Sequence, residues 1–313
     1  MPQSFVFPKP VEIDAFKVTT VALSGSLDAD YLRGGADRLR ARGVSVDLPE
    51  AAFAQWRYFA GTDDERVAAF DAALASDANV VLFSRGGYGV SRILHRIDWS
   101  RVAASEKVFC GYSDITAFSL AALAKANYVT YAGPLMVDAV PDTDDAAVRA
   151  YPWDQLTGVL RDRKLEYAAL TSDIDHGMRE IEGTLWGTNL AMVAHLVGTP
   201  YMPNIDNGIL VIEDIAESPY RVERMLWQLK HAGILDKQRA IILGQFTDCE
   251  PSKTLRYPYS MAEAIETLRA MVDCPVLTGF PFGHVPRKTT LPIGAVAQLS
   301  IGGAQYRLRL KGF

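Results

Sequence analysis

The chain has 313 residues, 49% of them hydrophobic and 22% charged, with a formal net charge of −5. Its length suggests two domains, its composition excludes intrinsic disorder, and its acidic balance, without any run of Lys or Arg, argues against nucleic acid as a partner. Three cysteines, Cys110, Cys249 and Cys274, are odd in number and lack metal-ligand spacing, so a reducing compartment is expected.

The opening Met1-Pro2-Gln3-Ser4-Phe5-Val6-Phe7-Pro8 has no basic stretch and no long apolar run, so no secretory leader is expected. The longest apolar stretch, near 117–124, is interrupted by Ser119 and too short to cross a bilayer. The expectation is a soluble, cytoplasmic protein with no membrane partner.

Residues 18–23 read as a short strand that stops at Ser24-Gly25-Ser26, and a helical pattern through Leu32, Ala36 and Leu39 ends at Gly43. Thr62-Asp63-Asp64-Glu65 has capping-box spacing ahead of Val67, Ala68 and Phe70. Residues 79–84 and 108–110 read as buried strands, each running into a polar, glycine-bearing turn and then a helix. Such alternation implies a doubly wound, mostly parallel sheet with helices on both faces.

Across 141–180, Asp142-Thr143-Asp144-Asp145 and Arg161-Asp162-Arg163-Lys164 are solvated and apolar periodicity is weak, as in a crossover between domains. Residues 183–190 read as a strand-to-helix transition and 208–213 as a strand. The helix that follows has Ser218 at its N-cap, Pro219 in first position and Val222, Met225, Leu226 and Leu229 on one face, with Gly233 closing it. Residues 240–245 and 275–278 are further short strands, and 296–301 and 306–310 pair as a hairpin across Gly302-Gly303. The expected class is α/β: an N-terminal domain over 1–150, a crossover over 151–180, and a smaller C-terminal α/β domain with mixed strands over 181–313.

Ser113, in Gly111-Tyr112-Ser113-Asp114, falls where a parallel strand turns into a helix, the end of an α/β sheet at which ligands bind. A sharp turn there would expose the hydroxyl as a nucleophile and aim the Asp114 N–H at an oxyanion. The alternative is that Ser113 or Asp114 caps the following helix. Arg85-Gly86-Gly87-Tyr88-Gly89 also follows a strand and precedes a helix, so Gly86 and Gly87 could supply a second oxyanion donor, or form a plain tight turn. Glu213 and Asp214 end a very apolar strand, where a carboxylate needs a partner; a histidine, Arg221 or Arg224 would serve.

Among five histidines, His284 differs: Gly283-His284-Val285-Pro286 is a loop just after a strand, and an imidazole suits a general base. His195 and His231 fall in helical segments, His95 near a helix end and His176 in the polar crossover. Ser113, Glu213 and His284 then follow the nucleophile–acid–base order also found in α/β hydrolases. No metal-binding pattern is present.

These blocks resemble the LD-carboxypeptidase family of serine peptidases, most of all its branch acting on muramoyl tetrapeptides. The resemblance rests on Arg85-Gly86-Gly87-Tyr88-Gly89, Gly111-Tyr112-Ser113-Asp114-Ile115-Thr116, Gly183-Thr184-Leu185-Trp186-Gly187, Ile212-Glu213-Asp214 and Gly283-His284, and it runs in order from about 18 to 301. It implies Ser113 as nucleophile, Glu213 as orienting carboxylate and His284 as general base. The oxyanion hole would be the backbone of Asp114, Gly87 and Gly86, with Arg85 and Tyr88 as substrate-binding candidates. The implied reaction removes the terminal D-alanine from murein tetrapeptide, free or sugar- or UDP-linked, in cytoplasmic peptidoglycan recycling, with no cofactor and no metal, by a homodimer. Relatives resembling the microcin immunity peptidases offer an alternative substrate, a peptidyl or aminoacyl nucleotide analogue. A non-catalytic muropeptide-binding protein is the alternative of another class. Thr188 departs from the pattern, since many relatives carry glycine there.

Overall fold

The computed structural model describes residues 5–12, 15–163, 165–251, 256 and 258–310. Residues 1–4 of the opening segment and Lys164 of the solvated crossover lie outside them. Thirteen strands and eight α-helices are seen among the described residues.

The first sheet begins with β1 (Lys17–Val21), α1 (Ala29–Arg40), β2 (Ser45–Val46), α2 (Asp63–Ala75) and β3 (Val80–Phe83). It continues with α3 (Trp99–Ala104), β4 (Val108–Gly111), α4 (Thr116–Ala126) and β5 (Thr130–Ala132). The expected capping box is present: the Thr62 hydroxyl accepts the Glu65 N–H, and the Glu65 carboxylate accepts the Thr62 N–H in return. All four residues of β3 and of β4 are buried, as continuous apolar runs require when helices cover both faces of a parallel sheet. β2, β1, β3, β4 and β5 are parallel, with Leu82 opposite Cys110. That register sets the loops after β1, β3 and β4 side by side at the carboxyl end of the sheet.

The second sheet draws on α5 (Ala146–Asp162), β6 (Leu165–Thr171), β7 (Met178–Asn189), α6 (Leu190–Leu196), β8 (Gly208–Ile215), α7 (Pro219–His231) and β9 (Gln238–Thr247). After α8 (Met261–Met271) and β10 (Val276–Leu277), β11 is Leu291–Ile293, β12 Val296–Gly302 and β13 Gln305–Leu310. Its order is β10-β9-β8-β7-β12-β13-β6; the first four are parallel and the rest antiparallel, so the sheet is mixed. β12 and β13 form the expected hairpin. The stretch 151–180 holds most of α5, all of β6 and the start of β7.

Two of the contacts that join the sheets stand out in the strand pairing and at the start of α4. β11 leaves the C-terminal half and pairs antiparallel with β5 at the edge of the first sheet, Leu291 opposite Ala132. The Thr116 hydroxyl at the start of α4 meets the Thr188 hydroxyl near the end of β7, and both are buried.

Candidate active site

Beyond β4, Tyr112 is extended and Ser113 takes φ = 65°, a left-handed conformation that disfavours any side chain by about 1–2 kcal/mol. A short 3-10 turn, Ser113–Ile115, then leads into α4. Neither Ser113 nor Asp114 caps that helix. The buried Asp114 carboxylate instead accepts the Ser24 hydroxyl at 2.6 Å and the Val90 N–H at 3.0 Å. One side chain therefore ties the loops after β1 and β3 to the Ser113 turn. Burial pushes the Asp114 pKa up, while its bonds to Ser24 and Val90 pull it back.

The loop after β3 packs directly on Ser113. A Cβ at Gly86 would stand 2.7 Å from the Ser113 Cβ and 2.8 Å from its hydroxyl oxygen, so only glycine allows this approach. The loop runs into a short 3-10 turn, Val90–Arg92, preceded by Gly89 at φ = 146°. The buried Arg66 guanidinium donates to the carbonyls of Leu23 and Gly89 and fixes the loop from below. The N–H groups of Gly86, Gly87 and Asp114 donate to no other described residue. Gly86→Ala is expected to lower kcat by about 10²–10³-fold, the loss typical of a disrupted oxyanion site. Steady-state kinetics beside a thermal melt checks this, and near-normal kcat would show that the loop yields.

Glu213 comes from β8. Between Ile212 and Asp214 the register with β9 slips, so Gly244 and Gln245 form a bulge opposite Glu213. The fully buried carboxylate meets His284, with Nδ1 and Oε2 2.8 Å apart. A carboxylate only accepts, which puts the imidazole proton on Nδ1 and leaves Nε2 as acceptor. The His284 loop is anchored to β9: Gln245 N–H donates to the Phe282 carbonyl and the Thr247 hydroxyl to that of His284. Arg221 pairs with Glu217 instead. His95, His195 and His231 are exposed, and His176 contacts Ser172.

Ser113 and His284 line one cavity of about 480 Å³, with Arg85, Gly86, Gly87 and Asp138 among its other walls. Acid and base are joined, while no hydrogen bond links the Ser113 hydroxyl to the imidazole among the described residues. Such bonds are often long before substrate binds. Arg85 donates to the Ser26 carbonyl at 2.8 Å and pairs with no carboxylate among the described residues. Tyr88 packs on Phe59 with ring centroids 5.8 Å apart and is not part of the cavity wall.

Other groups were not legible from sequence. The Tyr112 ring meets the His284 ring edge-on at 4.9 Å, and its hydroxyl donates to Asp138 at 2.9 Å. The buried Lys288 ammonium donates to the same Asp138 oxygen at 2.7 Å and lies 4.4 Å over the Tyr112 ring. Burial, then the Asp138 charge, pushes the Tyr112 pKa well up, so the phenol stays protonated. Thr188 has φ = 126°, a region that favours glycine. Cys110 is fully buried and burial pushes its thiol pKa well up, which unfits it as a nucleophile. Among the described residues no group of three His, Cys, Asp or Glu side chains could hold a metal ion, and no helix is long and apolar enough to cross a membrane.

Asp214, beside Glu213, accepts the N–H groups of Ala191 and Ile215 and the Asn189 amide. Burial raises its pKa from 3.8 to about 6. The folded state therefore holds the proton more tightly than the unfolded chain. Stability from this group is full below about pH 4 and lost as pH rises through about 6, on the order of 3 kcal/mol. Asp214→Asn is expected to remove that component, read as the wild-type minus variant difference in unfolding free energy between pH 4 and 7. Parallel pH curves would contradict it.

Residues 18–133 match the LD-carboxypeptidase N-terminal domain, and residues 182–299 match the LD-carboxypeptidase C-terminal domain. The chain belongs to the LD-carboxypeptidase family. A putative carboxypeptidase of Synechocystis sp. is 33% identical over 303 residues, 96% of each chain. The murein tetrapeptide carboxypeptidase of Pseudomonas aeruginosa is 31% identical over 301 residues, covering 90% of this chain and 92% of that one. The crystal structure of muramoyltetrapeptide carboxypeptidase from Oxalobacter formigenes superposes with a TM-score of 0.85 at 35% identity, over 95% of this chain and 99% of that one. An LD-carboxypeptidase family member with both domains matched is a peptidase, of mixed α/β fold with a mostly parallel N-terminal sheet and a mixed second sheet.

Proposed function

We propose that the protein is a serine-type LD-carboxypeptidase that removes the terminal D-alanine from murein tetrapeptide. The observation that carries this reading is the 2.8 Å Glu213–His284 contact, which sets an oriented imidazole in the cavity that also holds the Ser113 hydroxyl. Murein tetrapeptide as substrate is supported by relatives named for that activity, together with their near full-length coverage.

His284 Nε2 takes the Ser113 proton as the hydroxyl oxygen attacks the carbonyl preceding D-alanine. The Asp114 N–H and a glycine N–H of the Gly86-Gly87 loop stabilise the oxyanion. The imidazolium, held by Glu213, returns the proton to the leaving amine and D-alanine departs. Water, deprotonated by the same imidazole, then cleaves the acyl-enzyme and restores Ser113. Arg85 offers its guanidinium to the substrate. On this reading residues 1–150 carry the nucleophile and 181–313 the acid and base, joined by 151–180. The reaction belongs in cytoplasmic peptidoglycan recycling, carried out by a homodimer.

Mass spectrometry of free and UDP-linked tetrapeptide after incubation tests the reading. Loss of one alanine is expected; intact peptide after long incubation with stoichiometric protein would instead favour a muropeptide-binding protein.

A further inference from the structure

Tyr58 sits at the tip of a small hairpin: Trp56 and Phe59 exchange backbone hydrogen bonds at 2.9 Å, with Arg57 at φ = 55° between them. The hairpin is tied to the loop after β1, because the Ser26 N–H donates to the Tyr58 carbonyl at 2.9 Å. The Ser26 carbonyl in turn accepts the Arg85 guanidinium at 2.8 Å. One residue's backbone therefore fixes the spacing of a phenol and a guanidinium that lie 27 positions apart in the chain.

Both groups converge on Gly87. The Tyr58 hydroxyl and the Arg85 Nη2 each lie within 4 Å of the point where a Gly87 side chain would begin, and no hydrogen bond joins them. The Tyr58 ring crosses the open face of Gly25 and meets Phe59 edge-on at 5.5 Å, which holds its direction. Tyr58 is half exposed, and its hydroxyl has no partner among the described residues. Gly87 neighbours Gly86, which touches Ser113, so the two donors stand about one residue's reach from the nucleophile.

A phenol O–H and a guanidinium N–H, held apart beside Gly87, can donate to the two oxygens of a carboxylate, where a single neutral carbonyl offers only one. We propose that Tyr58 and Arg85 form, over Gly87, the site that binds the free terminal carboxylate of the peptide, making Tyr58 a specificity-determining residue that restricts cleavage to the last bond. Glycine is required at 87 for this pairing, because a Cβ there would stand 2.4 Å from the Tyr58 hydroxyl. This rests on the carboxypeptidase reading and says which end of the peptide is measured, and by what.

The test compares kcat/KM for the tetrapeptide and for the same peptide ending in D-alanine amide, with wild type, Tyr58→Phe and Arg85→Gln, each checked by a thermal melt. Wild type is expected to cleave the acid about 100-fold or more better than the amide, since two charge-assisted bonds are lost. Tyr58→Phe is expected to lower kcat/KM for the acid about tenfold, mostly through KM, and to leave the amide unchanged. Arg85→Gln is expected to do the same to a larger degree. Equal cleavage of acid and amide by wild type, or equal losses on both substrates in Tyr58→Phe, would overturn the carboxylate site while leaving the catalytic reading intact. Release of neither alanine from the acid nor alanine amide from the amide would overturn both.

Discussion

Ser113→Ala is expected to slow D-alanine release by about 10⁵–10⁶-fold, the loss seen when a serine hydrolase is stripped of its nucleophile. The residual rate would come from binding and the oxyanion donors alone. Among the described residues the hydroxyl forms no hydrogen bond, and alanine inherits the same left-handed backbone at φ = 65°. Stability should therefore change by no more than about 0.5 kcal/mol. The asymmetry is diagnostic: a helix-capping serine would lose stability and keep activity. Mass spectrometry of the tetrapeptide reaction, with a thermal melt of the same preparation, separates the two. Turnover at the wild-type rate would remove Ser113 from the mechanism.

Glu213→Gln should likewise lose activity without losing stability. Glutamine nearly matches glutamate in shape, but its amide N–H can direct the imidazole into the wrong tautomer, which lowers kcat by about 10⁴-fold in the comparable aspartate-to-asparagine change. Meanwhile Glu213 is fully buried, and its Oε1 has no hydrogen-bond partner among the described residues. Burying a charge with half its acceptor capacity unused is unfavourable. The neutral amide should therefore leave the protein as stable as wild type, or more stable by about 1 kcal/mol. Kinetics within tenfold of wild type would mean that Nδ1 is oriented by something other than this carboxylate.

Ser113, Glu213 and His284 could be read from sequence because each ends or follows a strand and has a local signature: a glycine before the turn, a carboxylate closing an apolar run, a histidine between glycine and proline. Their meeting could not be read that way. Glu213 and His284 are 71 positions apart, and the bulge that aims the carboxylate lies in a third segment, β9. Lys288 and Asp138, 150 positions apart, carry no local signal, although Lys288 lies only four residues beyond His284. Tyr58 was missed for the same reason: its hairpin is built by backbone bonds to residues 24–26 rather than by any periodic pattern. Residues 141–180 show weak periodicity because a proline, Pro152, lies inside α5 and β6 is an edge strand.

The β11 strand has a mechanical consequence. The loop that bears His284 leaves β10 in one sheet and is pinned, seven residues later, to the edge of the other, whereas Glu213 stays within the second sheet. Any displacement of one sheet against the other would therefore strain the segment between its β9 anchors and β11, and the 2.8 Å Glu213–His284 contact lies within reach of that strain.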